Sequence, residues 1–125
     1  MGRTTEPVAP VAADASLIDR YAEMLSSERG AARNTLLAYR RDLAEASART
    51  GGLIAASAEG LRGLSADWAP LAPSSVARKI SALRGFFSFL EEEGLRADNP
   101  SEALVRPGLR RPLPRILTRE EVEQL

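Results

Sequence analysis

Apolar residues recur at helical spacing most clearly between Ser74 and Gly94. The positions that lie three or four residues apart form one continuous stripe: Val76, Ile80, Leu83, Phe87 and Leu90. Phe86 flanks this stripe and Phe89 lies on the other side, so the helix is predicted to be covered from two directions, as in a compact bundle. Ser74 or Ser75 is the predicted N-cap, and Gly94 is the predicted end.

Two earlier stretches have the same period. The first helix is predicted to begin at Ser16, where Asp19 gives a start that resembles a capping box. The second is predicted over residues 34–49, with Asn34 or Thr35 as its cap. The predicted stops are Gly30, Gly51 and Gly52. The residues predicted to face the core are Leu17, Ile18, Tyr21, Met24, Leu25, Leu36, Tyr39, Leu43 and Ala46.

A weaker helix is predicted over residues 58–68, where two glycines lower the helix propensity. One more helical turn is predicted over residues 98–104, with Pro100 at its first position. No stretch alternates apolar and polar residues over a useful length, so no strand is predicted. The expected fold class is therefore all-α: a compact four-helix bundle with a short extra helical turn.

The chain divides into four segments by composition. Residues 1–13 are small, contain proline and lack a period, which predicts a disordered N-terminal arm. Residues 14–105 are the predicted helical domain, and residues 106–117 are a predicted extended linker rich in Arg and Pro. Residues 118–125 begin with a capping-box pattern and end about two turns into a helix. We interpret them as the start of a second domain that this chain lacks.

Composition narrows the chemistry. The chain has no cysteine and no histidine, which excludes disulfides, thiol catalysis and His-ligated metals, so we expect no catalytic residue, no metal site and no cofactor. No apolar run is long enough to span a membrane, and no signal peptide precedes the first helix, which predicts a cytoplasmic protein. The 17 basic and 17 acidic residues cancel, so net charge indicates no partner.

Acidic and basic residues are segregated along the chain, although their charges sum to zero. Acidic residues concentrate in the first helix and at the end of the fourth, whereas basic residues concentrate in the second helix, the first half of the fourth helix, and the linker. Helix starts with short polar residues favour phosphates, and Arg further along can reach phosphates or base edges. The candidate DNA-binding residues are Arg33, Asn34, Thr35, Arg40, Arg41, Ser74, Ser75, Arg78, Lys79, Arg84, Arg110 and Arg111. We expect the residues of the two helices to form one basic face, with Arg78 and Arg84 reaching the major groove.

Three segments have a sequence pattern of their own. Residues 34–43 read NTLLAYRRDL, and residues 75–90 read SVARKISALRGFFSFL. Both resemble segments of the XerC/XerD-type tyrosine recombinases of the phage-integrase family. Asn99-Pro100 is followed by RPLPRILT at residues 111–118, which is similar to the passage into the catalytic domain of that family and leans towards the XerD type. The segments stand in the order and spacing of the family.

The resemblance implies a SAM-like core-binding domain whose second and fourth helices lie on duplex DNA. It also implies that the parent resolves chromosome dimers, with a second recombinase subunit of the same family in a tetrameric synapse. The catalytic residues of the family all belong to the downstream domain, so this chain is not expected to be an enzyme. Tyr21 and Tyr39 lie on apolar helix faces and are predicted to be core residues.

The same residues admit a second hypothesis. Basic residues on amphipathic helices are usually solvated surface, and short polar residues at helix starts are usually caps. The alternative is a SAM-like helical domain for protein–protein interaction that does not bind DNA. A steep dependence of duplex binding on salt would separate the two hypotheses, because phosphate neutralisation releases counterions.

Overall fold

The computed structural model describes residues 9–104. Four helices follow one another: α1 (Ala12–Arg29), α2 (Arg33–Thr50), α3 (Ala58–Ala66) and α4 (Pro73–Glu92). A 3-10 turn over Pro100–Ala103 follows, and residues 9–104 contain no strand. The all-α prediction is confirmed. No helix in this part of the chain is both long enough and apolar enough to cross a membrane.

Helix α1 begins four residues earlier than predicted, so the start at Ser16 is wrong. Buried polar contacts with the rest of the domain hold the first turn. The Asp14 carboxylate accepts hydrogen bonds from the Ser47 hydroxyl at 2.6 Å and the Leu53 amide at 2.7 Å. The Val11 amide donates to the same Ser47 hydroxyl at 2.9 Å. Because these partners are 33 or more residues away, the local pattern could not indicate this start.

The predicted caps of α2 and α4 are also wrong. Ala32 and Ala72 are the N-cap residues, and neither helix has a side-chain cap. Asn34, Thr35, Ser74 and Ser75 lie inside the first turns instead. Proline favours the first helical position, and the structure places Pro73 there, one residue before the predicted cap. The predicted stops at Gly30 and Gly51 are confirmed, since both adopt left-handed backbone angles.

Helix α4 is the wall of the core, as predicted. Ile80, Leu83, Phe87 and Leu90 are at most 1% exposed, and only Val76, near the helix start, is partly exposed. Phe86 and Phe89 are buried as well. The ring of Tyr21 packs edge-on against Phe86, with ring centroids 5.7 Å apart. The helix is therefore covered from two directions.

The segment after α4 closes one side of the bundle through Arg96. Its guanidinium lies 5.3 Å from the ring centroid of Phe87 and donates to the carbonyls of Leu53 at 3.1 Å and Ala56 at 2.7 Å. These contacts fix the loop between α2 and α3 against α4. Asn99 is the N-cap of the 3-10 turn, and its side chain accepts a hydrogen bond from the Ser101 amide. The turn contacts both α3 and α4.

Candidate nucleic-acid interface

The second and fourth helices meet at a buried carboxylate. Asp42 of α2 has a side chain only 4% exposed. It accepts two hydrogen bonds from Arg78 of α4, from Nε at 2.7 Å and from Nη2 at 2.9 Å. Lys79 Nζ donates a third at 3.0 Å. These three charge-assisted hydrogen bonds stabilise the buried Asp42 carboxylate and connect α2 to α4. These are the two helices that carry most of the predicted DNA-binding residues.

The two basic residues of this cluster differ in exposure. The side chain of Lys79 is 12% exposed and also donates to Glu45 at 3.1 Å. Lys79 is therefore a structural cation between two carboxylates. The side chain of Arg78 remains 39% exposed. Its hydrogen bonds to Asp42 raise the pKa of Arg78 above its ordinary value, against an opposing effect of burial, so it stays charged.

The first half of α2 exposes polar and basic side chains. Arg33, Asn34 and Thr35 are exposed in the first turn, which contains no acidic residue, and Arg41 is exposed two turns later. The start of α4 is similar, since it also lacks an acid and its Ser74 is exposed. Helices α1 and α3 instead carry an acidic residue in their first turns. The helix ends most compatible with an anion therefore belong to α2 and α4.

Arg40 already has a partner. It forms an ion pair with Asp19 of α1, whereas Asp42, two residues later, contacts α4. Two residues on a helix are separated by about 200°, so Arg40 lies on the side of α2 opposite Asp42, as does Arg33 seven residues earlier. That Arg40 forms one continuous basic face with the residues of α4 stays a prediction.

Arg84 is held against the end of the domain. Its Nη2 donates to the carbonyl of Leu104 at 2.8 Å, and its Nε is buried without a partner among the described residues. Asn99 Nδ2 donates to the Arg84 carbonyl at 3.3 Å, so the backbone is tied to the same segment. The predicted reach of Arg84 into a major groove conflicts with these contacts, which direct the guanidinium to the domain's own last described residue.

A groove of about 480 Å³ lies between α1, the start of α2 and the outer side of α4. Tyr21 and Gly85 meet there so closely that a Cβ atom on Gly85 would lie 1.9 Å from the Tyr21 hydroxyl. Burial raises the pKa of Tyr21 to about 12, with a smaller contribution from Tyr39. Tyr21 is buried and Tyr39 is half-buried, so the predicted core role of both residues is confirmed.

Sequence reasoning missed Asp42, the centre of the α2–α4 contact. A signal was available, because Asp42 stands three residues after Tyr39 and four before Ala46, on the helix face predicted to be buried. A carboxylate on such a face predicts a basic partner. The predicted DNA-contacting residues Arg110 and Arg111 lie outside the described residues, as do the predicted linker and the segment that follows it.

Comparison with known proteins assigns the chain to a protein family. The model of the family "Phage integrase, N-terminal SAM-like domain" matches residues 18–94. The chain belongs to this family, and the resemblance to XerC/XerD-type recombinases is confirmed.

The relatives carry both names of the predicted type. Tyrosine recombinase XerC of Erythrobacter litoralis (strain HTCC2594) is 56% identical over 108 residues, which cover 86% of this chain and 35% of the relative. Tyrosine recombinase XerD of Brucella abortus biovar 1 (strain 9-941) is 45% identical over 114 residues, or 86% and 37%. Tyrosine recombinase XerD of Caulobacter vibrioides is 42% identical over 113 residues, again 86% and 37%. The chain thus spans about a third of these relatives, and no solved structure gives a significant match.

Proposed function

We propose that the chain binds duplex DNA through α2 and the first half of α4, as the core-binding part of a site-specific tyrosine recombinase. The observation that carries the proposal is the pair of helix starts. Both helices begin without an acid or a side-chain cap and expose short polar side chains, and the Asp42–Arg78 contact fixes one helix against the other. Backbone amides and a positive dipole end at each start suit phosphate groups.

The exposed residues of this surface fall into two groups according to the length of their side chains. Asn34, Thr35 and Ser74 are short and lie at the helix starts, where they suit hydrogen bonds to phosphate oxygens. Arg33 and Arg41 are long, exposed and about two turns apart on α2, which suits them to neutralise phosphates along the backbone. Arg78 combines partial exposure with a fixed orientation, because the buried Asp42 holds it.

The role of the whole recombinase is a broader part of the proposal. The relatives are named tyrosine recombinases, and this chain covers about a third of their length. We propose that the parent protein recombines a duplex site with a second subunit of the same family in a tetrameric synapse, that it acts in chromosome dimer resolution in the cytoplasm, and that its catalytic residues lie downstream of residue 125. Residues 14–105 and 106–117 would then serve as DNA-binding domain and linker. The end of the predicted arm, residues 11–13, belongs instead to the start of α1.

Salt-dependent binding tests the DNA proposal. Changing Arg33 and Arg41 together to Gln should weaken binding to any duplex and lower the slope of log K against log salt by about two, because about 0.9 of a counterion is released per phosphate contact. The measurement is fluorescence anisotropy of a labelled 30-base-pair duplex titrated with the full 125-residue chain at several salt concentrations.

Arg62→Gln is the control for a charge lost elsewhere, since Arg62 is an exposed arginine on α3, outside the proposed surface. It removes one charge where the double variant removes two, and it should leave the slope unchanged. An unaltered affinity and slope in the Arg33/Arg41 variant, with the fold intact by circular dichroism, would place the DNA surface elsewhere. Absence of salt-dependent duplex binding by the unmodified chain would favour the protein-interaction alternative.

A further inference from the structure

Asp42 controls which atoms of Arg78 remain available. The carboxylate engages Nε and one side of Nη2, which is the side-on edge of the guanidinium. Both hydrogens of Nη1 and the second hydrogen of Nη2 are left over, and no acceptor among the described residues contacts Nη1. These hydrogens form the end-on edge of the group, a planar fork with two parallel donor directions.

Asp42, which holds the guanidinium of Arg78, is itself held by a series of ion pairs. Asp42 is buried, and Lys79 fixes it with a hydrogen bond of 3.0 Å to Oδ1. Lys79 is in turn held by Glu45 at 3.1 Å, and Glu45 by Arg49 at 3.5 Å. An arginine free in solvent loses rotamer entropy when it binds, and this one has already lost part of that freedom in the folded domain. Pre-organisation of this kind benefits a ligand that needs a fixed direction.

The residues beside Arg78 on α4 itself are short. Ser74 precedes it by one turn, and Ser81 follows it by three residues. On its other side Arg78 lines a groove with larger residues that follow α3, among them Asp67 and Trp68. A nucleic-acid groove can therefore approach Arg78 along α4, where the neighbouring side chains are short. A planar two-donor fork matches the N7 and O6 acceptors of guanine in the major groove.

We infer that Asp42 is a positioning residue that presents the end-on edge of Arg78 to a guanine, and that this pair is a specificity determinant of the domain. The inference rests on the proposed function, because it requires that α2 and α4 lie on duplex DNA. A phosphate also offers two acceptors, but a phosphate contact would carry no base preference. Base preference is therefore the readout that separates the two, and a purely structural role of Asp42 would not change it.

The experiment is selection from a randomised duplex library by the full 125-residue chain, followed by sequencing. The unmodified chain should select guanine at one position or more. Arg78→Met removes the fork and should reduce one guanine preference by about fivefold or more, since a good bidentate contact discriminates by about 1 to 3 kcal/mol. Asp42→Asn keeps the size but weakens the hold on Arg78, and should reduce the preference at the same position.

Asp98→Asn is the matched control, because Asp98 accepts from Nε and Nη2 of Arg96 in the same side-on manner and does not contact Arg78. It should leave the base preference unchanged. If Asp42→Asn does not fold, Asp42→Glu keeps the charge and displaces the carboxylate, and it should lose the same preference.

Four results would overturn the inference. They are an unchanged profile in Arg78→Met, an unchanged profile in the folded Asp42 variant, an equal loss in Asp98→Asn, and a uniform loss of affinity with a lower salt slope and intact preference, which would assign Arg78 to a phosphate. Absence of duplex binding by the unmodified chain is a different result. It would reject the proposed function itself.

Discussion

The two sides of α4 are built on different rules. On the inner side, Ile80, Leu83, Phe87 and Leu90 are buried at the positions that a 3.6-residue period predicts. On the outer side, three residues are each defined by a contact with a distant part of the chain. Arg78 meets Asp42, Arg84 meets the carbonyl of Leu104, and Gly85 meets the hydroxyl of Tyr21.

The inner side of α4 is determined by hydrophobic burial, whereas the outer side is determined by specific contacts between pairs of residues. Hydrophobic burial is non-directional, so any apolar side chain of suitable size at those positions predicts the same inner side. Hydrogen bonds and close contacts are directional, and one changed partner changes what an outer residue does. Two arginines six residues apart, Arg78 and Arg84, therefore have different fates although both were expected to reach DNA.

The largest effect should come from the inner side. Leu83→Ala should lower the free energy of unfolding by about 2 to 5 kcal/mol, because Leu83 is 1% exposed and its loss leaves a cavity in the centre of the bundle. Urea denaturation followed by circular dichroism measures it. Val76→Ala is the matched control on the same stripe, and since Val76 is only partly buried its loss should be smaller. A loss below about 1 kcal/mol for Leu83→Ala would contradict the central position of this side chain.

A smaller effect is expected where α4 touches α1. Gly85→Ala would normally stabilise a helix by about 1 kcal/mol. Here the new Cβ would lie 1.9 Å from the Tyr21 hydroxyl, so the change should destabilise the domain by about 1 to 3 kcal/mol. In a Tyr21→Phe background the hydroxyl is gone and the nearest remaining ring atom is 3.1 Å away, so most of that penalty should disappear. A double-mutant cycle from urea melts measures the coupling.

Gly63→Ala is the control for that cycle. Gly63 lies within α3, and a Cβ there would meet nothing within 4 Å. This change should leave the domain equally stable or stabilise it by up to about 1 kcal/mol, in either background. Equal losses for Gly85→Ala with and without the Tyr21 hydroxyl would show that the close contact is not the cause.

The fold was predictable from sequence to a larger extent than the site. Periodicity predicts four helices, and glycines predict the ends of α1 and α2, because these signals are local. The start of α1 was wrong because Asp14 is anchored by Ser47 and Leu53, which are remote in sequence. The predicted caps of α2 and α4 were wrong because both helices begin after an alanine, without a side-chain cap. The basic residues were located correctly on their helices, but no local pattern says which of them already has a partner.

The smallest effect should be at Arg84, where one hydrogen bond and one unsatisfied group oppose each other. Arg84→Met removes the bond to the Leu104 carbonyl, a loss of about 0.5 to 1.5 kcal/mol. It also removes the buried Nε, which has no partner among the described residues, while the methionine retains most of the apolar packing. The net change in urea melts should therefore stay below about 1 kcal/mol, and duplex affinity should remain within about twofold, because the guanidinium is committed to the domain itself. Arg78→Met is the comparison on the outer side of the same helix, and it should weaken duplex binding clearly more. A fall in affinity and salt slope for Arg84→Met as large as that for Arg78→Met would show that Arg84 leaves Leu104 to contact DNA, and the two arginines would then share one fate.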